Sequence, residues 1–280
     1  MIKVIDIDKL FDKYISDYVY GNIGKVKPEE IENEIPRLYE KFGDEKLAEL
    51  NGKTPNTFYD GFSCKELLDC LKKHLSDAVP VSDFLCEAIC SAPDAETALG
   101  KELENDNSEE YNLYLINMLY TSLESKKHFN RLLEFVSCDY TETIKEVSAE
   151  VLSENADAVK ESVLSQFADA DEKTKEYFTE ILSNASKDDK VFDLLVLQFV
   201  KHPNNIPLYA SYLGKYGDER AIPFLTEAIE NEKISYADFE ELRFNIEKLG
   251  GEYNKKRDFS SDKTFRKIKG FHDNAKDYKS

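Results

Sequence analysis

Helix-start signals recur at a nearly constant spacing in the second half of the chain, and this regularity limits the fold more than any other feature. The signals fall at Thr141, Asp171, Asn205 and Ser235, so that successive starts lie 30, 34 and 30 residues apart. Side chains of these types cap helix N-termini by accepting hydrogen bonds from free backbone N–H groups. A constant period of roughly 20 to 50 residues is typical of stacked repeats. We therefore predict an all-α protein in which residues 141–251 form tandem helix pairs.

Each predicted unit contains two blocks of apolar residues at helical spacing. The blocks of the first three units cover residues 144–152 and 159–167, then 177–182 and 191–200, then 208–213 and 222–229. A single helix cannot bury such a face alone, so stacked neighbours share a continuous core and leave one surface free for recognition. The pattern thus predicts an α-α superhelix, a solenoid of antiparallel helix pairs.

One segment also carries a family signature. Residues 212–225 read Tyr-Leu-Gly-Lys-Tyr-Gly-Asp-Glu-Arg-Ala-Ile-Pro-Phe-Leu. They resemble the short HEAT-like (PBS-lyase-type) repeat of bacterial proteins, in which one helix ends at Gly-Asp and the next begins with Ala-Ile-Pro-x-Leu. Gly217 can end a helix in the left-handed conformation, Asp218 can cap the next helix, and Pro223 fits its first turns. The resemblance covers residues 205–251; earlier units share only its spacing and apolar pattern.

The tetratricopeptide repeat, with a period of about 34 residues, is the alternative architecture. The chain has no tryptophan, which the tetratricopeptide signature contains. Its Leu-Gly-x-x-Tyr motif is also missing; residues 213–216, Leu-Gly-Lys-Tyr, come close but have one residue fewer between Gly and Tyr. The HEAT-like interpretation is therefore favoured.

The rest of the chain divides by composition. Residues 1–62 form a predicted N-terminal helical region, with a second helix beginning at Pro28 and a turn-rich segment at residues 51–62. Residues 63–140 are predicted to be degenerate helical repeats, opened by a capping box at residues 63–66. Residues 252–280 follow a Gly-Gly helix stop and carry nine Lys and Arg against five Asp and Glu. We predict a basic, partly disordered tail; the alternative is a segment that folds back onto the acidic body or docks on a partner.

Charge and composition restrict the partners. The net charge of -19 disfavours nucleic acid, which requires a local excess of Lys and Arg, and favours a basic peptide or protein. No apolar run is long enough for a membrane span or a signal peptide, and the odd number of cysteines, five, does not suit a secreted disulfide framework. We therefore expect a cytoplasmic protein without membrane contact, and leave its oligomeric state open.

Chemical motifs are weak. Gly52-Lys53-Thr54 matches the end of a phosphate-binding loop but lacks the upstream glycine that such a loop requires.

One possible metal site merits a test. Side chains four residues apart on two adjacent predicted helices could supply four zinc ligands, namely Cys70, His74, Cys86 and Cys90. The buried-core interpretation is favoured, because cysteine is among the most buried residue types and Cys86 and Cys90 flank apolar residues, and we predict no metal, cofactor or catalytic site. No histidine stands in a recognisable relation to a Ser or Cys nucleophile; the four are His74, His128, His202 and His272.

Two functions remain. The first is a non-enzymatic scaffold or adaptor that presents the surface of an acidic solenoid to a basic protein or peptide. The second is an enzyme or small-ligand binder with a pocket in the curve of the solenoid, because some proteins of similar repeat class act on tetrapyrroles or damaged DNA bases. Only the resemblance supports the second function, and fold does not imply function.

Overall fold

The computed structural model describes residues 2–22 and 28–268, with the backbone alone at residues 28–30. Over these ranges the chain contains helices, turns and loops but no β-strand, which confirms the predicted all-α class. The chain forms two compact units that divide between Arg131 and Leu132. None of the described helices is both long and apolar enough to cross a lipid bilayer.

The first unit is a set of short helices around one core. They are α1 (Ile7–Gly21), α2 (Pro28–Gly43), α3 (Pro55–Phe58), α4 (Cys64–Ser76), α5 (Asp83–Cys90), α6 (Ala95–Leu103) and α7 (Glu109–Ile116). A π-helical stretch, Asn117–Ser122, continues α7, and α8 (Phe129–Ser137) crosses into the second unit.

The described residues of the N-terminal region belong to the same compact unit as the helices that follow. Tyr39 of α2 stacks on Phe84 of α5 with 5.1 Å between ring centroids, and Phe42 lies 6.3 Å from the same ring. The aromatic face of α2 therefore belongs to the core of the following helices. The predicted capping box is confirmed, because the Ser63 N–H donates to the Glu66 carboxylate at 2.9 Å ahead of α4.

The second unit repeats pairs of helices. They are α9 (Glu142–Glu154), α10 (Ala156–Gln166), α11 (Glu172–Leu182), α12 (Asp189–Lys201), α13 (Ile206–Tyr216), α14 (Ile222–Ile229) and α15 (Tyr236–Lys248). The four predicted start residues are confirmed as the N-cap residues of α9, α11, α13 and α15. The side chains of Asp171 and Ser235 accept the expected backbone hydrogen bond, whereas those of Thr141 and Asn205 do not.

The connection that carries the repeat signature has the predicted geometry. Gly217 ends α13 with φ 77°, in the left-handed region. The Asp218 carboxylate accepts a hydrogen bond from the Arg220 N–H at 3.0 Å and so caps a 3₁₀ turn that leads into α14. Pro223 lies in the first turn of α14, where its missing N–H removes no helical bond.

Equivalent positions in successive helix pairs lie side by side. Helix α9 packs on α11, α11 on α13, and α13 on α15. Ser186 donates to Asp157 at 2.6 Å and Arg220 donates to Asp189 at 2.8 Å, across 29 and 31 residues. In the first unit, a Lys72–Glu102 ion pair of 2.7 Å spans 30 residues. Contacts between residues about 30 positions apart in the sequence therefore occur in both units.

The segment that follows α15 packs on the end of the second unit. The Phe259 ring lies 5.0 Å from Phe239 of α15, and Lys255 pairs with Glu230 at 2.6 Å. Arg257 donates to the carbonyl oxygens of Ile229 and Asn231, both at 2.8 Å, and so caps the C-terminus of α14. Residues 252–268 thus return to the acidic body. The remainder, residues 269–280 with His272, lies outside the described residues.

Candidate functional site

An acidic groove, with a volume of about 470 Å³, lies among the first helices of three successive pairs: α9, α11 and α13. Its lining residues are Glu146, Glu150, Ser153, Glu154, Tyr177, Glu180, Asn184 and Lys215. On α9 the glutamates recur every four residues, and this spacing places them on one face of the helix. Packing of α9 beside α11 then adds Tyr177 and Glu180 to the same surface.

Tyr177 forms the rim of the acidic groove. Its hydroxyl donates to the Glu142 carboxylate at 3.1 Å. Burial and this hydrogen bond raise the pKa of Tyr177 to about 12. The phenol therefore stays protonated at neutral pH and holds Glu142 in position as an acceptor.

Glu180 lies deeper in the acidic groove and is half-buried. Burial raises the pKa of Glu180, Lys215 opposes the shift, and the neighbouring carboxylates add to it, those of Glu176, Glu150 and Glu146. The ionised carboxylate is thus incompletely solvated, and Lys215 offsets part of the repulsion from the neighbouring carboxylates. A further cation in the groove would offset the remaining cost through its attraction to these carboxylates.

We expect Glu180→Gln to raise the free energy of unfolding slightly at pH 7. A raised pKa in the folded state means that the ionised side chain favours unfolding above the ordinary glutamate pKa, and the amide removes this penalty. The gain should shrink as the pH falls through the glutamate range, where wild type is protonated in both states. Urea unfolding at several pH values measures the difference, and exposed Glu161 of α10, changed to Gln, serves as the control. A pH-independent gain would contradict the assignment.

The four zinc candidates lie on neighbouring helices, Cys70 and His74 on α4, Cys86 and Cys90 on α5. In the described part of the chain, no three His, Cys, Asp or Glu side chains stand close enough to hold one metal ion. The imidazole of His74 is fully buried, with Nδ1 2.8 Å from the Pro80 carbonyl oxygen. Burial raises the pKa of Cys70 to about 11 and that of Cys86 to about 12, and so disfavours the thiolate that binds zinc.

The phosphate-loop match forms a turn and a helix cap. Gly52 has φ 79°, and the Lys53 ammonium lies 3.4 Å from the carbonyl oxygen of Phe58. The Thr54 N–H donates to the Thr57 hydroxyl at the start of α3, at 3.3 Å. These contacts are local and form no cradle of N–H groups for a phosphate.

The sequence held a signal for the acidic groove. Glutamates at residues 146, 150 and 154, and again at residues 176 and 180, follow the spacing of one helix face. A spacing along one helix does not say which faces of three helices meet, so this pattern alone does not identify a groove.

Comparison with known proteins found no matching family model, no similar curated protein and no similar solved structure. We therefore infer the function from the geometry of the described residues.

Proposed function

We propose that the chain is a non-enzymatic interaction scaffold whose acidic groove binds a basic segment of a partner protein. One observation carries this proposal: three successive helix pairs direct four glutamates and a single ammonium, that of Lys215, into one groove. Lys or Arg side chains of a partner would neutralise this excess of negative charge. Such complementarity increases association rates and selects against acidic partners.

The shape of the acidic groove supports a polypeptide ligand. Glu146 and Glu150 are exposed along α9, whereas Tyr177 and Glu180 are half-buried between the helices. A segment lying along the groove can therefore reach several carboxylates at once and pack against the Tyr177 ring. Tyrosine supplies rigid contact area and a hydrogen-bond group at small entropic cost. The alternating exposed charge and half-buried aromatic surface suits a chain of Lys, Arg and apolar residues.

The test is capture of partners by the tagged full chain. At low ionic strength we expect enrichment of proteins with basic segments, and their loss in about 1 M salt, where the Debye length falls to ~3 Å. The double variant Glu146→Lys/Glu150→Lys should weaken binding of a purified partner by about tenfold or more. The matched variant Glu161→Lys/Glu232→Lys changes the net charge equally at exposed positions outside the groove and should bind normally. Equal losses in both variants, or capture that ignores salt, would refute the proposal.

The second candidate function is binding of a small polycationic ligand in the acidic groove. The raised pKa of Glu180, caused first by burial, and the nearby Tyr177 hydroxyl favour it, and about 470 Å³ suffices for a small molecule. Calorimetric titration with a linear polyamine distinguishes the two functions. Tight binding of the polyamine alone, abolished by Glu180→Gln, would favour the small-ligand function over the scaffold.

A further inference from the structure

A second groove in the same unit is mainly apolar. It has a volume of about 530 Å³ and lies between the C-terminal end of α12 and α14. Phe199 and Val200 form one wall and Phe224 the other, with Ile206 and Ile234 contributing from the ends of the flanking connections. This groove is lined by none of the residues of the acidic groove.

Exposed apolar side chains concentrate at this apolar groove. Val200 is 60% exposed and Phe224 is 37% exposed, and Leu197, one turn before Val200 on α12, is 49% exposed. Single exposed apolar residues are ordinary, but a cluster on facing helices beside a cavity is typical of a binding surface. The two walls present apolar groups to a third element, as in complexes where an amphipathic helix fills a groove.

Charge indicates which element fits. Glu227 stands exposed on the wall of the apolar groove and has no hydrogen-bond or ion-pair partner among the residues that the structure describes. Asp238 adds a second carboxylate, and Lys233 is the one ammonium among the lining residues. The surrounding residues 132–251 carry 25 Asp and Glu against 12 Lys and Arg. A second copy of this acidic chain would bring like charges together, whereas a basic segment would not.

We propose that the apolar groove binds an amphipathic helical segment of a partner protein, with bulky aliphatic or aromatic side chains on one face and a Lys or Arg opposite Glu227. The apolar side chains would cover Val200 and Phe224, and the cation would pair with the free carboxylate. This surface shares no lining residue with the acidic groove, so each proposal can be tested without the other.

The experiment is selection of a displayed library of random 16-residue peptides against the immobilised full chain. Enriched peptides should carry apolar residues at i, i+3 or i+4 and i+7 together with Lys or Arg. Their synthetic forms, measured by fluorescence anisotropy, should lose at least tenfold in affinity for Val200→Asp and severalfold for Glu227→Lys. Val200→Asp leaves the fold intact, because the position is exposed, and thermal unfolding followed by circular dichroism verifies this.

Glu146→Lys/Glu150→Lys, which alters only the acidic groove, should bind the same peptides normally. Peptides that ignore Val200→Asp, acidic peptides, or no enrichment would overturn the proposal. A wild-type dimer that Val200→Asp converts to a monomer in sedimentation velocity would also overturn it, because the groove would then be filled by a second copy.

Discussion

Replacement of Phe259 by alanine is expected to lower the free energy of unfolding by about 3 kcal/mol, although residue 259 lies outside the regular helices. The Phe259 side chain is only 8% exposed. Its ring packs on Phe239 at 5.0 Å and on Tyr236 at 5.3 Å, both from α15. Truncation would expose these two rings and leave a cavity that the extended segment has few contacts to close. Urea unfolding followed by circular dichroism measures the loss.

Phe244→Ala is the matched control for Phe259→Ala. Phe244 belongs to α15 itself but is 58% exposed, so its truncation should change stability by no more than ~0.5 kcal/mol. A larger loss at Phe244 than at Phe259 would show that residues 252–268 do not pack on the second unit. The comparison is informative because we expect truncation of a helical residue, Phe244, to cost less unfolding free energy than truncation of Phe259 in the extended segment.

The returning segment completes the last helix pair. Helix α10 packs on α9 and α12 packs on α11, whereas α15 is followed by residues 252–268, which are mostly without helix. Tyr253 and Phe259 supply the missing apolar cover by packing on Phe239, and Arg257 satisfies the carbonyl groups at the end of α14.

Helix boundaries were predictable because their signals are local. Ser235 donates to and accepts from Asp238 three residues later, so the boundary of α15 can be read from four consecutive residues. The positive φ of Gly217 and the capping by Asp218 follow from the same kind of short pattern. A period of about 30 residues then predicted which helices would be neighbours.

Contacts made by residues that follow no regular sequence spacing were not predictable. Tyr253 and Phe259 are two aromatic residues in a basic segment, and no helical or strand spacing distinguishes them from residues of a disordered tail. The cysteines of α4 and α5 show the opposite case, in which a regular spacing suggested a contact that does not form. Their i,i+4 spacing suggested convergent ligands, but the rotation of one helix against the other is set by the whole core, in which Cys70 is buried.

The crossing of α13 and α15, whose starts are 30 residues apart, leads to a strong prediction. Gly214 of α13 faces Asn245 of α15, and a Cβ atom at residue 214 would overlap the Asn245 amide oxygen. Asn245 is 1% exposed and donates to the Glu241 carbonyl at 2.9 Å and to its carboxylate at 2.8 Å. It cannot withdraw without losing these hydrogen bonds inside the core. Glycine at residue 214 thus permits the close approach of the two helices.

Gly214→Val is therefore expected to lower the free energy of unfolding by about 2 to 3 kcal/mol, despite the usual gain when glycine leaves a helix. Urea unfolding of wild type and Gly214→Val measures the loss, and a cycle of wild type, Gly214→Ala, Asn245→Ala and the double variant tests its cause. If steric overlap is responsible, the double variant will be more stable than the sum of the single losses predicts, because the smaller side chain at residue 245 admits the new Cβ. Strict additivity would mean that the glycine serves only local backbone geometry and that the helices separate without cost.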